Sequence, residues 1–254
     1  MVDNPLRLKL EQFASFSPLE ARRLDELVSH GKESYSARQD ILTEGEKVKD
    51  IHIVLSGLAA RYKLLDEGER QIMAFLVPGD ICDLEVFVLE QMDHSVCAIS
   101  DTVCAIVPAD TIKDLLTEMS CLTSALWWST MTDSAVLRER IVDHGRRDAH
   151  ERLAHLFYEM LIRYRMVGQA PGDKIPFPLT QEELADATGL TPVHVNRTLK
   201  QLREQGLIEL KGKTLTILNA PGLRQAARFN PNYLHLRKAE QGSGDEAERV
   251  QDLV

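Results

Sequence analysis

The stretch LTQEELADATGLTPVHVNRTLKQLREQGLIELKGKTLTIL (179–218) constrains the fold of this chain more than any other. Thr180 followed by Glu183 is a capping-box pattern: the hydroxyl accepts one orphan helix amide and the carboxylate reaches back to another. Leu184 and Ala187 give the short helix that follows an apolar face, and Gly189 supplies a residue that ends it in the left-handed region at little cost. Thr191 then caps a second helix with Pro192 at its first position, where no amide donor is needed. Val195, Leu199 and Leu202 turn inward at spacings of four and three. After Gly206, two alternating runs flank Lys211-Gly212-Lys213 as a hairpin. Two short helices, a glycine turn and a β-wing make a winged helix-turn-helix.

The outward residues of the second helix carry the chemistry. They are Val193, His194, Asn196, Arg197 and Lys200. A recognition helix presents its first outward side chains to base edges in the major groove. Arg197 suits guanine O6 and N7, Asn196 suits adenine, and Val193 suits a thymine methyl, so these three are the expected base contacts. Thr180, Thr191, Lys200 and Lys213 are expected at phosphates, where they set register and affinity. The helix over residues 191–201 is the one expected to enter the groove.

The net charge of −9 over 254 residues looks wrong for a DNA partner until its distribution is read. Acidic runs such as Glu44, Glu46 and Asp66, Glu67, Glu69 lie in the first half, whereas residues 177–238 carry an excess of Lys and Arg. DNA senses the local field within a Debye length of about 8 Å, so a basic module on an acidic body is compatible with it.

Upstream the pattern differs. Ser17-Pro18 marks an N-cap and first helical proline between two short N-terminal helices. From about residue 34 to 108, short apolar or alternating runs (IHIVLSG, LAARYKLL, RQIMAFL, VCAISDTVCAIV) are punctuated by Glu44-Gly45, Ser56-Gly57, Glu67-Gly68 and Pro78-Gly79-Asp80. Evenly spaced short strands of this kind predict an antiparallel β-roll. From 109 to 143 no glycine or internal proline interrupts a helical pattern, which predicts one long helix. Its stripe of Leu115, Met119, Leu122, Leu126, Ser129, Asp133, Val136 and Arg140 is expected to pair with a second copy; folding back on its own roll is the alternative. Gly145 reads as a hinge or cap. Residues 148–165 form a further amphipathic helix, GQAPGDKIPFP a polar loop, and 237–254 a mobile tail.

The fold class is therefore α+β, with a β-roll and N-terminal helices (1–114), a long dimerisation helix and hinge (115–147), a winged helix-turn-helix (148–236) and a tail (237–254). The four cysteines, Cys82, Cys97, Cys104 and Cys121, form no CxxC pair and read as small buried apolar residues. No phosphate-cradling glycine loop, metal-spaced cluster or nucleophile elbow points to an enzyme, a metal or a cofactor. The charged N-terminus lacks a signal-peptide core and no run is long enough to span a bilayer, so the expected place is the cytoplasm, away from membranes.

Roll, long helix and winged helix in this order resemble the Crp–Fnr superfamily of bacterial regulators, over residues 13–218. The resemblance implies a homodimer on a palindromic operator, RNA polymerase as a further partner, and an effector domain of the cyclic-nucleotide-binding type. The family's recognition-helix arginine falls on Arg197, while its other base-reading arginine and glutamate fall on Pro192 and Val193, implying a different half-site. In the roll, Gly79-Asp80 keeps the family's turn. The ribose-binding glutamate falls on Leu84, however, and the phosphate-binding Arg-Ser pair on His94-Ser95. A mostly neutral imidazole does not supply the fixed bidentate charge of arginine, so Leu84, His94 and Ser95 outline an effector pocket not expected to take a cyclic nucleotide. With no cysteine before Cys82, an N-terminal iron–sulfur cluster is not expected either; haem on Cys82, His94 or His52 is a weaker alternative. A small-molecule sensor whose output is a protein contact is the competing function.

Overall fold

The computed structural model describes residues 4–29, 31–84, 88–89 and 91–236. It contains two compact units, Met1–Asp133 and Ser134–Val254, divided within one long helix.

The first unit is built on two antiparallel sheets. One has the order β1 (Lys32–Tyr35), β7 (Thr102–Pro108), β3 (Asp50–Ser56); the other runs β2 (Asp40–Leu42), β6 (Ser95–Ala98), β4 (Ala59–Leu64), β5 (Arg70–Leu76). Alternation along β3 and β7 sorts two cores. Val54 and Cys104 join Tyr35, Leu42, Ala59, Leu76 and Val96 inside the roll. Ile51, Ile53, Ala105 and Val107 point the other way, onto α1 (Pro5–Leu10), α2 (Pro18–Leu27), α3 (Ala109–Glu118) and the start of α4 (Ser120–Arg146). Both faces of this sheet are covered, which is why IHIVL reads as a continuous apolar run. Ser17 caps α2 in a full capping box, with Pro18 at its first position. At Gly79 (φ +92°) a side chain would meet the Pro5 carbonyl, and the adjacent Asp80 holds Lys9 of α1 in a buried ion pair of 2.8 Å.

The expected single helix over 109–143 is two helices. Met119 lies extended between α3 and α4 (φ −123°, ψ 87°), buried in the same cluster as Ile112 and Leu122. Packing redirects the chain there, without a breaker residue, so no sequence signal marks it. The stripe expected to face a second copy is also used differently. Met119, Leu122, Leu126, Ser129, Val136 and Arg140 are all buried by their own chain. The apolar surface that α4 leaves exposed lies elsewhere on it: Trp127 (70% exposed), Met131, Leu137 and Ile141 (72%).

The second unit is organised around α5 (Ala149–Met166), whose residues 153–162 are all buried. Gly145 does not break the chain; α4 continues to Arg146, and the new helix is opened by an Asp148–Glu151 capping box. The segment read as a polar loop contains a 3-10 turn (Pro171–Asp173) and β8 (Lys174–Pro176). Burial of Ile175 and Phe177 makes that strand the third member of the sheet β8, β10 (Thr214–Ile217), β9 (Ile208–Lys211). Beyond the wing, α8 (Ala220–Ala226) and a turn at Pro231–Leu234 complete the unit. Tyr233 of that turn donates to Glu159 at 2.7 Å, and Glu159 also accepts from Arg140 at 2.7 Å, the carboxylate being fully buried. The tail expected to be mobile, 237–254, lies outside the described residues.

Candidate nucleic-acid interface

The helix-turn-helix consists of α6 (Gln181–Thr188) and α7 (Pro192–Glu204). Thr180 closes its capping box in both directions, accepting the Glu183 amide at 3.1 Å while its own amide donates to the Glu183 carboxylate at 2.7 Å. The Thr180 hydroxyl donates to that carboxylate as well (2.9 Å), so a phosphate there competes with the cap. Gly189 ends α6 in the left-handed region (φ 62°, ψ 33°), and a Cβ on it would lie 3.0 Å from Nδ1 of His144. Glycine is thus demanded by backbone and space together.

Thr191 caps α7 by accepting the His194 amide at 3.3 Å, with Pro192 at the first turn. Val195, Thr198, Leu199 and Leu202 are buried, which turns Val193, Asn196, Arg197 and Lys200 outward. Val193 is 78% exposed, an apolar side chain left in water. Among the described residues Arg197 has no hydrogen-bond or ion-pair partner, so its five donors are unspent. Asn196 donates to Gln181 Oε1 at 3.3 Å, and Lys200 sits 3.6 Å from Glu204. In the wing, Gly212 (φ +60°) turns β9 into β10 and leaves Lys211 and Lys213 exposed at the tip.

One contact set had no sequence signal. The Arg152 guanidinium of α5 gathers carbonyls from two helix ends: His144 (3.3 Å) and Arg147 (2.9 Å) at the end of α4, and Thr188 at the end of α6. It ties the helix-turn-helix to the last turn of α4. An arginine inside an amphipathic helix ordinarily reads as solvated surface, and only the fold brings those carbonyls together.

These geometries agree with what the chain is similar to. Residues 151–226 match the Crp-like helix-turn-helix domain, and residues 32–119 match the cyclic nucleotide-binding domain. The chain belongs to the Crp–Fnr family of bacterial transcription regulators. Among Crp–Fnr relatives, it is 24% identical over 213 residues to the fumarate and nitrate reduction regulatory protein of Escherichia coli strain K12, covering 84% of both chains. The protein of that name from Vibrio cholerae is 24% identical over 208 residues, 82% of each chain. Among solved structures, FixK2 from Bradyrhizobium japonicum superposes with a TM-score of 0.68 at 28% identity, covering 77% of this chain and 96% of that one. Like its Crp–Fnr relatives, this protein is a DNA-binding transcription regulator with a winged helix-turn-helix.

The effector-pocket candidates each have their own contacts among the described residues. Leu84 packs, half-buried, beside the helix-covered core with Ile81. Ser95 accepts the Glu44 amide at 2.9 Å, and His94 Nδ1 contacts Asp93 at 2.5 Å, an interaction that lowers the Asp93 carboxyl from its usual range. Arg61 is the one buried arginine among the described residues of the roll. Its guanidinium donates to the Ile81 carbonyl at 2.7 Å and to Asp133 of α4 at 3.0 Å, the sort of tie that residue type alone does not reveal. His52 Nδ1 lies 2.7 Å from Asp83. Burial opposes the charged imidazole, but Asp83, with Glu33 and Asp50 behind it, outweighs this and raises its pKa. Cys82, Cys97 and Cys104 are buried and Cys121 half-buried; all four are free thiols.

Proposed function

We propose that this regulator acts as a homodimer on a palindromic operator, each copy placing α7 in a major groove. The carrying observation is Arg197, without a partner among the described residues, on the exposed face of a helix capped by Thr191. Arg197 reads guanine, Asn196 adenine and Val193 a thymine methyl. Thr191, Lys200 and Lys213 engage phosphates, with Thr180 at the edge of that set. The second copy covers the exposed stripe Trp127, Met131, Leu137 and Ile141 of α4, because large apolar groups at helical spacing are costly to leave in water. In this reading residues 1–114 form the effector roll, 115–147 the dimer helix and 148–236 the DNA-binding part. The protein works in the cytoplasm beside RNA polymerase.

The roll acts without a cyclic nucleotide. Arg61 already spends its donors on carbonyls and Asp133, and Nδ1 of His94 is engaged by Asp93, so among the described residues neither side chain offers a cyclic phosphate a fixed, unpaired cation. Calorimetry with cyclic AMP and cyclic GMP tests this, and micromolar binding overturns it. For the main reading, mobility shifts with genomic fragments are expected to give specific, salt-sensitive complexes. Sedimentation is expected to show a dimer that Ile141→Glu dissociates. A monomer indifferent to DNA refutes both parts.

A further inference from the structure

Gln181 lies outside the recognition helix, yet its side chain touches a residue at the centre of the exposed face. As the first residue of α6, immediately after the Thr180 cap, it accepts from Asn196 Nδ2 at 3.3 Å. The contact runs between the two helices of the motif, and both residues are exposed.

A primary amide has two N–H hydrogens, one on the same side as its oxygen and one opposite. Bidentate adenine reading uses the oxygen, accepting from N6–H, and the hydrogen beside it, donating to N7. The second hydrogen is not used by the base. Gln181 can take that second hydrogen without competing for the base edge. Doing so selects which of the two amide orientations Asn196 adopts and limits rotation about its broad terminal torsion. A free asparagine on an exposed helix face would have to lose that freedom on binding.

We infer that Gln181 is a positioning residue for sequence readout: it fixes the Asn196 amide with its base-reading edge turned outward, and so sharpens adenine preference at one position of each half-site. This rests on α7 entering the major groove. It adds a determinant outside α7, and it separates two kinds of contact that a groove-facing glutamine makes. A glutamine on phosphate strengthens all sequences alike; a glutamine on Asn196 changes one base preference.

The test selects bound sequences from a random DNA pool with the full-length protein and with Asn196→Ala, Gln181→Met and Gln181→Glu. If the unsubstituted protein selects no sequence, the reading of α7 fails before Gln181 is examined. If it does select, Asn196→Ala identifies the base position concerned. Gln181→Met, of similar length but without the acceptor, is expected to reduce preference there by roughly 3- to 10-fold, a part of what a bidentate contact confers. The guanine preference assigned to Arg197 should be unchanged. Gln181→Glu keeps the acceptor and is expected to retain the adenine preference while weakening all sequences through repulsion from phosphate. An even loss on all sequences with Gln181→Met, or no change at the Asn196 position, overturns the inference.

Discussion

The roll and the winged helix treat their cations in opposite ways. Inside the roll, Arg61 is held by two carbonyls and a carboxylate, and Lys9 is locked on Asp80. On the winged helix, Arg197, Lys211 and Lys213 are exposed with no partner among the described residues. A buried charge must be paired to exist at all, so its partners report on folding. An exposed charge that the fold leaves unpaired is available to a ligand. The same contrast exists within the second unit, where Arg140 is buried between Asp143 (2.8 Å) and Glu159 (2.7 Å) while Arg197 of α7 has no partner among the described residues. Residue type alone does not separate these classes; surroundings do.

The strongest way to break this comparison is at the buried pair. Glu159→Ala removes the acceptor shared by Arg140 and Tyr233 and leaves the guanidinium short of a partner in a dry site. It should cost about 3–5 kcal/mol of stability in a denaturant titration, and a loss below about 1 kcal/mol would mean that the network is dispensable. Arg197→Ala, by contrast, should leave stability unchanged and cost about 1–3 kcal/mol of binding at the cognate site, relaxing one base preference. An equal loss on every sequence would assign Arg197 to phosphate.

Two of the buried histidines, His52 and His155, sharpen the contrast further. His52 is raised, since the Asp83 contact outweighs its burial, whereas His155 is lowered, chiefly by burial and with Arg140 and Arg147 nearby, although Glu159 and Asp143 (3.7 Å) pull the other way. A raised histidine binds its proton more tightly in the folded state. The stability it contributes is full below the unfolded value of about 6.5 and is lost as pH climbs through the folded value. A lowered histidine does the reverse: its contribution is full above about 6.5 and fades as pH falls towards the folded value. NMR titration of the imidazole protons should therefore find His52 titrating above about 6.5 and His155 below it. Two ordinary titrations would show that neither environment acts as described. The smallest effect belongs to the wing: Lys213→Ala should weaken all DNA sequences alike and reduce the salt slope by about one.

Much of the second unit was legible because its signals are local. Thr180–Glu183, Gly189, Thr191-Pro192 and Gly212 each act within a few residues, and each sits where its chemistry requires. The roll was legible as a class from strand length and punctuation. What escaped the sequence depends on distant segments. Met119 breaks the helix because the core takes its side chain, and β8 is a strand because the wing offers it an edge. The α4 stripe was read on the wrong face. Apolar periodicity reports that a face is buried without saying by what; here its own chain covers Leu122 and Leu126 and leaves Trp127 and Ile141 outside. Arg152, through Thr188, and Arg61 and Gln181 were missed for the same reason, since each acts on groups in other elements.

If the unspent donors of Arg197 on α7 are the DNA-reading surface proposed above, that helix selects sequence. A protection footprint of the purified protein on a fragment selected from random DNA interrogates it most directly. Two symmetric protected half-sites, centred about one helical turn apart and each losing its guanine contact in Arg197→Ala, is the predicted result. Protection that is absent, or that ignores both sequence and the Arg197 substitution, would contradict it.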